Sequence, residues 1–74
     1  MTRDHTDAIE HYATHRDTLF GVAYQMLGTV ADSEDVLQET WLSWSSANRS
    51  AVTNPRAYLT RITVNHALAR LQAP

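Results

Sequence analysis

Apolar residues recur at spacings of three and four along most of the chain, and this spacing places them on one face of an α-helix. The first such stripe consists of Ile9, Tyr12, Leu19, Phe20, Ala23, Met26 and Leu27. Thr6 can cap the start of this helix, and Gly28 follows its last apolar residue, as glycines that end helices do. We therefore predict a first helix over about residues 6–27, with a kink or break near Thr14, where large apolar residues are missing.

A second helix is predicted over residues 32–46, with an apolar stripe that consists of Val36, Leu37, Trp41 and Trp44. Asp32 stands at its start, where a carboxylate can accept hydrogen bonds from the N–H groups of the first turn. The negative charge also interacts favourably with the helix dipole at that end. Because both tryptophans complete the apolar stripe, we expect both to lie in the core.

A third helix is predicted over residues 54–72. Asn54 is a favourable N-cap, and Pro55 follows at the first helical position, where a missing N–H costs nothing. The apolar residues of this helix are Tyr58, Leu59, Ile62, Val64, Leu68 and Leu71. No segment alternates with the period of two that a strand requires. The sequence therefore predicts an all-α fold, a small bundle of three main helices that forms a single domain over residues 1–74.

Charge divides the chain into two halves. All eight acidic residues precede Thr40. This first half of the chain contains only two arginines, so its net charge is −6. From Thr40 onwards there is no acidic residue, and a net charge of +4 comes from Arg49, Arg56, Arg61 and Arg70. Such a division indicates two surfaces with different partners, of which the basic one suits phosphate. A solvated helix face is the simpler alternative.

The acidic half carries a polar cluster on the second predicted helix. Asp35, Gln38 and Glu39 are spaced at i, i+3 and i+4, so they share one face of the helix. Asp32 and Glu34 lie at the same end. Carboxylates and an amide on adjacent turns can form bidentate pairs with arginines of a partner helix. The cluster therefore predicts a docking face, and a capped, solvated helix start is the alternative.

The basic half combines arginines with aromatic and amide side chains, a combination that suits unpaired nucleic-acid bases. Aromatic rings can stack on such bases while guanidinium groups hold phosphates. Tyr58 offers a ring and a hydroxyl group close in sequence to Arg56 and Arg61, although it can also lie partly in the core. Asn65 can form hydrogen bonds with a base edge.

Little in the sequence suits catalysis. The chain has no cysteine, no glycine-rich phosphate loop and no glycine-flanked serine nucleophile. His11 and His15 stand one helical turn apart, with Asp7 one turn earlier, but this set lacks the further ligands of a metal site. We therefore expect no enzymatic activity, no metal and no cofactor. No apolar stretch is long enough to span a membrane, and the N-terminus does not resemble a signal peptide, so we expect a cytoplasmic location.

Three runs of residues resemble a known family. The run A-Y-Q-M-L-G-T from Ala23 and the run A-D-S-E-D-V-L-Q-E-T-W from Ala31 resemble region 2 of bacterial RNA polymerase sigma factors, most closely the extracytoplasmic-function (ECF) type. The run N-P-R-A-Y-L-T-R-I-T-V-N from Asn54 resembles the helix that follows in that family. The first run also resembles the subgroup of these factors that carries an extra C-terminal domain.

The resemblance implies a transcription initiation factor domain that docks on the clamp helices of the largest subunit of core RNA polymerase. The docking residues implied in this way are Asp32, Glu34, Asp35, Gln38 and Glu39. The segment 46–53 and the third helix are expected to recognise and melt the minus-ten element of the promoter and to bind its non-template strand. The DNA-facing residues that the resemblance implies are Arg56, Tyr58, Arg61 and Asn65. The basic charge of the second half of the chain adds Arg49 and Arg70 to this predicted DNA surface. An anti-sigma factor is a further partner that the resemblance leaves open.

The sequence departs from the family pattern at three positions. Tyr58 stands where the family usually has tryptophan, which keeps an aromatic ring. Ala69 and Gln72 stand where aspartate and arginine are common, so the end of the third helix is less basic. Region 4, the second DNA-binding domain of sigma factors, is expected to be absent from this chain. A helical interaction module that keeps the polymerase- or anti-sigma-docking face without a DNA role is therefore the alternative function, and binding to single-stranded non-template DNA separates the two.

Overall fold

The computed structural model describes the backbone of residues 2–73 and the side chains of residues 7–73. The described chain forms three α-helices and one short 3₁₀ turn, which are α1 (Thr2–Leu27), α2 (Val30–Ser46), the 3₁₀ turn (Arg49–Ala51) and α3 (Pro55–Gln72). Each α-helix packs against the other two. Residues 2–73 contain no strand. The predicted all-α bundle of three main helices is therefore confirmed.

Helix α1 is continuous, so the break predicted near Thr14 is wrong. Thr14 stays within the helix, and its hydroxyl group donates a hydrogen bond to the carbonyl oxygen of Glu10 at 2.8 Å. Apolar residues are missing here because the segment is largely exposed, while backbone hydrogen bonds maintain the helix. Because the helix begins at Thr2, Thr6 does not begin it, and the Thr6 side chain lies outside the described residues.

The connection between α1 and α2 contains a glycine in the left-handed conformation. Gly28 has a φ of 81°, a value that glycine adopts without steric cost, and its N–H donates to the carbonyl oxygen of Tyr24 at 2.8 Å. Helix α2 begins at Val30 because Thr29 is its N-cap, and Thr29 Oγ1 accepts a hydrogen bond from the N–H of Asp32 at 3.1 Å. The prediction that Asp32 caps α2 is therefore wrong, since Asp32 lies within the first turn.

The start of α3 agrees with the prediction. Asn54 is the N-cap, with its Oδ1 accepting from the N–H of Ala57 at 3.1 Å, and Pro55 follows in the first turn. At the end of α2, the guanidinium group of Arg49 donates to the carbonyl oxygens of Trp44 and Ser45 at 3.0 and 2.8 Å. The carbonyl group of Trp44 also accepts from the N–H of Ala47 at 3.2 Å, and Ser45 lies in the last turn, where carbonyl groups lack a helical N–H partner.

The core lies where the three helices meet, and its largest buried side chain is Trp44. Trp44 is 1% exposed, as predicted, but Trp41 is only half-buried, with its ring edge-on to Tyr12. The prediction that both tryptophans are buried is therefore correct only for Trp44. Leu68 and Leu71 are exposed, so the apolar stripe predicted for the end of α3 does not reach the core there.

The buried face of α3 includes a polar residue that the apolar pattern did not indicate. Leu59, Thr63 and Ala67 form this face, and the hydroxyl groups of Thr63 and Thr40 lie 3.2 Å apart in the buried contact between α2 and α3. Each hydroxyl group also donates to a carbonyl oxygen of its own helix, so burial leaves neither unsatisfied.

Within residues 2–73, no helix combines the length and the apolar character needed to cross a membrane.

We expect the stability of the bundle to fall at alkaline pH because of Tyr12. Its hydroxyl group donates to the carbonyl oxygen of Leu37 at 2.9 Å, and burial raises the pKa of Tyr12 above its ordinary value of 10.0, although nearby Arg16 partly opposes this. Because the pKa of Tyr12 is raised in the folded state, the neutral hydroxyl group stabilises the fold fully below pH 10. This stabilisation of the fold is lost as the pH rises through the folded-state pKa of Tyr12.

Tyr12→Phe tests this expectation. At neutral pH the variant should lose about 1 kcal/mol of unfolding free energy, because the hydrogen bond is removed. Above about pH 10 the difference between the two proteins should shrink, and urea denaturation at a series of pH values measures it. A difference that stays constant from neutral to strongly alkaline pH would contradict the role assigned to Tyr12.

Candidate functional site

Three of the predicted docking residues form one row on α2, which we call the acidic row: Asp32, Asp35 and Glu39. Arg70 of α3 lies against this row. Its Nη2 is 3.4 Å from Asp32 Oδ1 and 3.1 Å from Asp35 Oδ2, and its Nη1 is 3.7 Å from Glu39 Oε2. The three carboxylate side chains remain about half exposed, so a partner can still reach them.

His66 extends this contact along α3, one turn before Arg70. Its Nδ1 is 3.6 Å from Glu39 Oε1, and its Nε2 is 3.1 Å from the hydroxyl oxygen of Ser43. Glu39 therefore lies between two basic side chains of α3. The acidic row is the part of α2 that faces the basic side of α3.

The other two predicted docking residues, Glu34 and Gln38, lie further around α2. At about 100° per residue, Gln38 is about 90° and Glu34 about 130° around the helix axis from the centre of the acidic row, and the two are one turn from each other. Both are exposed. We call them the outer pair. The structure thus divides the predicted docking face into a row next to α3 and a solvent-facing pair.

Tyr58, Arg61 and Asn65 share one face of α3, within about 60° of each other around the helix axis. The Tyr58 ring is half-buried against Trp44, with ring centroids 5.7 Å apart, and the guanidinium carbon of Arg61 lies 5.7 Å from the Tyr58 ring centroid. Asn65 is exposed one turn further along. This face presents an aromatic ring, a cation and an amide together.

An open cleft of about 560 Å³ lies beside this face. It is lined by Asn48, Ala51, Val52, Thr53, Asn54, Ala57, Tyr58 and Arg61. Its walls come from the 3₁₀ turn, the segment before α3 and the first two turns of α3. The size falls within the range of sites that hold small organic groups, which is about 300–1,000 Å³. We call it the Tyr58 cleft.

The remaining predicted DNA-facing arginines are separated from that face. Arg56 is exposed on the first turn of α3 and shares a shallow depression with Arg61. Arg49 is half-buried, with its guanidinium carbon 5.9 Å from the Trp44 ring centroid, so it belongs to the structural contact that ends α2. Arg70 lies about half a turn around α3 from Arg61, against the acidic row.

Comparison with known proteins identifies the family. Residues 11–73 match the family model described as Sigma-70 region 2. The chain belongs to the sigma-70 region 2 family. It is 38% identical over 65 residues to the ECF RNA polymerase sigma factor SigJ of Mycobacterium tuberculosis (strain ATCC 25618 / H37Rv), and the match covers 88% of this chain. The resemblance to region 2 of the ECF type is therefore confirmed.

The region 2 domain covers only part of that relative. The match spans 20% of the length of SigJ. No solved structure matches the chain significantly. The family assignment therefore rests on the sequence comparisons, and the helical bundle agrees with it.

Sequence reasoning missed two features of the region 2 domain. The first is the pair of His66 and Arg70, which lies beside the acidic row. Their spacing of i and i+4 places them on one face of α3, but it does not show that this face packs against α2. The second is the Tyr58 cleft itself, because the sequence indicated the segment 46–53 and the third helix but not that Asn48 and Asn54 line a cleft beside Tyr58. In residues 7–73, no group of three His, Asp or Glu side chains is arranged to hold a metal ion.

Proposed function

We propose that this region 2 domain is part of a transcription initiation factor that docks on core RNA polymerase through α2 and binds promoter DNA through α3. The observation that carries the proposal is the separation of two chemically different surfaces. Exposed carboxylates lie along α2, and an open cleft with an aromatic ring and a guanidinium group lies at the start of α3. The similarity to SigJ, an ECF RNA polymerase sigma factor, supports the same function.

The docking part rests on the acidic row and the outer pair. Their carboxylate and amide groups stand on adjacent turns of one rigid helix, so they can meet arginines of a partner helix with little loss of side-chain entropy. In the family that this chain resembles, the partner is the pair of clamp helices of the largest polymerase subunit. We propose the same partner here.

The DNA part rests on the Tyr58 cleft. An unpaired base of the non-template strand of the minus-ten element can stack on an aromatic ring while Arg61 and Arg56 hold its phosphates. We leave Arg70 and Arg49 out of this surface, because the first lies against the acidic row and the second is engaged at the end of α2. Asn65 is available to a base edge.

Binding of the isolated domain to DNA should be weak and should depend little on salt. Two exposed arginines neutralise about two phosphates, so the slope of log affinity against log salt should be about −1 to −2 on single-stranded DNA. Docking on polymerase then supplies the high effective concentration of DNA that two charges alone do not.

Four further expectations stay predictions. They are an anti-sigma partner, a cytoplasmic location, a single-domain assignment and membership of the subgroup with an extra C-terminal domain.

Two substitutions test the DNA surface. Arg61→Ala should weaken binding to single-stranded oligonucleotides of every sequence by a similar factor, because it removes a phosphate contact. Asn65→Ala should reduce the preference among bases at one position of the minus-ten sequence. Fluorescence anisotropy with labelled oligonucleotides measures both effects.

Arg16→Ala is the matched control for Arg61→Ala, since it removes the same charge from the exposed surface of α1. If Arg61→Ala and Asn65→Ala bind every oligonucleotide as the unsubstituted domain does, the DNA assignment fails. The alternative function, an interaction module with the docking face alone, then takes its place.

A further inference from the structure

Arg70 occupies the centre of the acidic row. Its planar guanidinium group reaches all three carboxylates, at 3.1, 3.4 and 3.7 Å. A guanidinium fork placed against carboxylates in this way fills the position that an arginine of a partner would take in bidentate pairing. The acidic row in the free domain is therefore not an empty site, because α3 already supplies a cation to it.

We propose that Arg70 is an internal counter-ion that competes with arginines of the polymerase for the acidic row and so limits how tightly the domain docks. This inference rests on the proposed docking function. Asp32 Oδ1 and Asp35 Oδ2 are turned towards Arg70, so a partner arginine must displace Arg70 or rotate these side chains away from it. Two guanidinium groups held at the same carboxylates also repel each other.

The contact is weak enough to be exchanged. Arg70 is 33% exposed and Asp35 is 59% exposed, and ion pairs this accessible to water are readily replaced by others. A partner with a single cation gains little binding free energy by displacing Arg70, because one ion pair only replaces another. A partner with several cations, which also meets the outer pair Glu34 and Gln38, gains contacts that Arg70 cannot supply. Arg70 thereby favours extended basic partners over isolated charges.

The geometry of α3 assigns Arg70 to docking rather than to the Tyr58 cleft. Arg70 and Arg61 are nine residues apart, which corresponds to about half a turn of difference in direction. Arg70 and His66 instead share a side, and both contact Glu39. The basic side chains at the end of α3 therefore contact α2 and do not line the Tyr58 cleft.

Arg70→Gln tests the proposal, because it removes the charge and keeps most of the side-chain stem. The dissociation constant of the chain for purified bacterial core RNA polymerase should decrease by roughly three- to tenfold at a fixed, low salt concentration. Arg16→Gln changes the net charge equally but lies on the exposed surface of α1, and it should bind within about twofold of the unsubstituted chain. Arg70→Lys keeps a charge without the planar fork, so its affinity should lie between those of Arg70→Gln and the unsubstituted chain.

The outcomes separate this inference from the docking proposal. Unchanged or weaker binding by a folded Arg70→Gln chain overturns the inference, as does an equal gain in Arg16→Gln. If circular dichroism shows that Arg70→Gln is unfolded, Arg70→Lys decides, and an affinity no higher than that of the unsubstituted chain overturns the inference. A different result, unaltered polymerase binding by folded Asp35→Lys, Glu39→Lys and Gln38→Ala chains, overturns the docking proposal itself.

Discussion

Trp44→Ala should lower the free energy of unfolding by about 3–5 kcal/mol, the usual cost of removing a large buried aromatic side chain. Trp44 joins all three helices. Its indole N–H donates to the carbonyl oxygen of Ala8 in α1 at 2.9 Å, and its ring packs against Tyr58 of α3. The substitution therefore leaves a cavity at the point where the helices meet and also removes the partner of a buried hydrogen bond.

This loss is large for a chain of 74 residues. Domains of this size have a total stability of about 4–11 kcal/mol, so the loss removes from about a quarter of the unfolding free energy to all of it. Urea denaturation followed by far-UV circular dichroism measures the effect without depending on tryptophan fluorescence. Trp44→Phe retains most of the ring and should cost less, which separates the packing contribution from the hydrogen bond.

Leu42→Ala is the matched control, because Leu42 lies on the same helix and is 59% exposed. Its effect should stay within about 0.5 kcal/mol. Trp41→Ala should fall between the two, since Trp41 is half-buried. A Trp44→Ala variant with the urea midpoint of the unsubstituted domain would show that Trp44 does not hold the helices together.

The parts of the fold that sequence could predict are those decided by local chemistry. Asn54 and Pro55 determine the start of α3, and Gly28 determines the end of α1, through bonds to residues at most four positions away. The start of α2 was harder, because Thr29 and Asp32 both have side chains that cap helices well. Which of the two residues caps the helix depends on the direction of the backbone after Gly28. Residue preferences alone do not specify that direction.

The remaining errors concern contacts between helices. The apolar stripe of α2 contains both tryptophans, and the positions of α1 and α3 decide that Trp44 is buried while Trp41 is only half-buried. The prediction that Arg70 faces DNA rested on the basic second half of the chain and stays a prediction, but the sequence did not indicate that Arg70 contacts the acidic row. Its pairing with Asp32, 38 residues earlier, requires the packing of α3 on α2, and no pattern within a single helix contains that information.

The family resemblance adds to the residue patterns at the candidate docking face, which stays a prediction. The spacing of Asp35, Gln38 and Glu39 predicted a polar face but left a capped, solvated helix start as the alternative. Membership of the sigma-70 region 2 family favours the docking interpretation. It does not distinguish the acidic row from the outer pair, and this distinction came from the contacts of Arg70.

Reversing one charge in the acidic row should have the largest effect on polymerase binding. Asp35→Lys is the most informative variant, because Asp35 is the most exposed carboxylate of the row and its replacement should disturb the fold least. If Asp35 meets an arginine of the clamp helices, the binding free energy should fall by about 2–5 kcal/mol, since an unpaired partner charge is left at the interface. Glu39→Lys should act in the same direction, but it also brings a lysine next to His66 and Arg70, so its fold must be checked by circular dichroism.

Asp17→Lys on α1 controls for the change in net charge, because Asp17 is exposed and outside the acidic row. It should alter the dissociation constant for core RNA polymerase only slightly at moderate salt, where distant surface charges are screened. Gln38→Ala removes one member of the outer pair without changing the charge, and it should weaken binding less than Asp35→Lys does. If Asp35→Lys, Glu39→Lys and Gln38→Ala all remain folded and bind polymerase with the affinity of the unsubstituted domain, α2 is not the docking helix. The exposed carboxylates of α2 are then a solvated helix surface, balanced in part by Arg70.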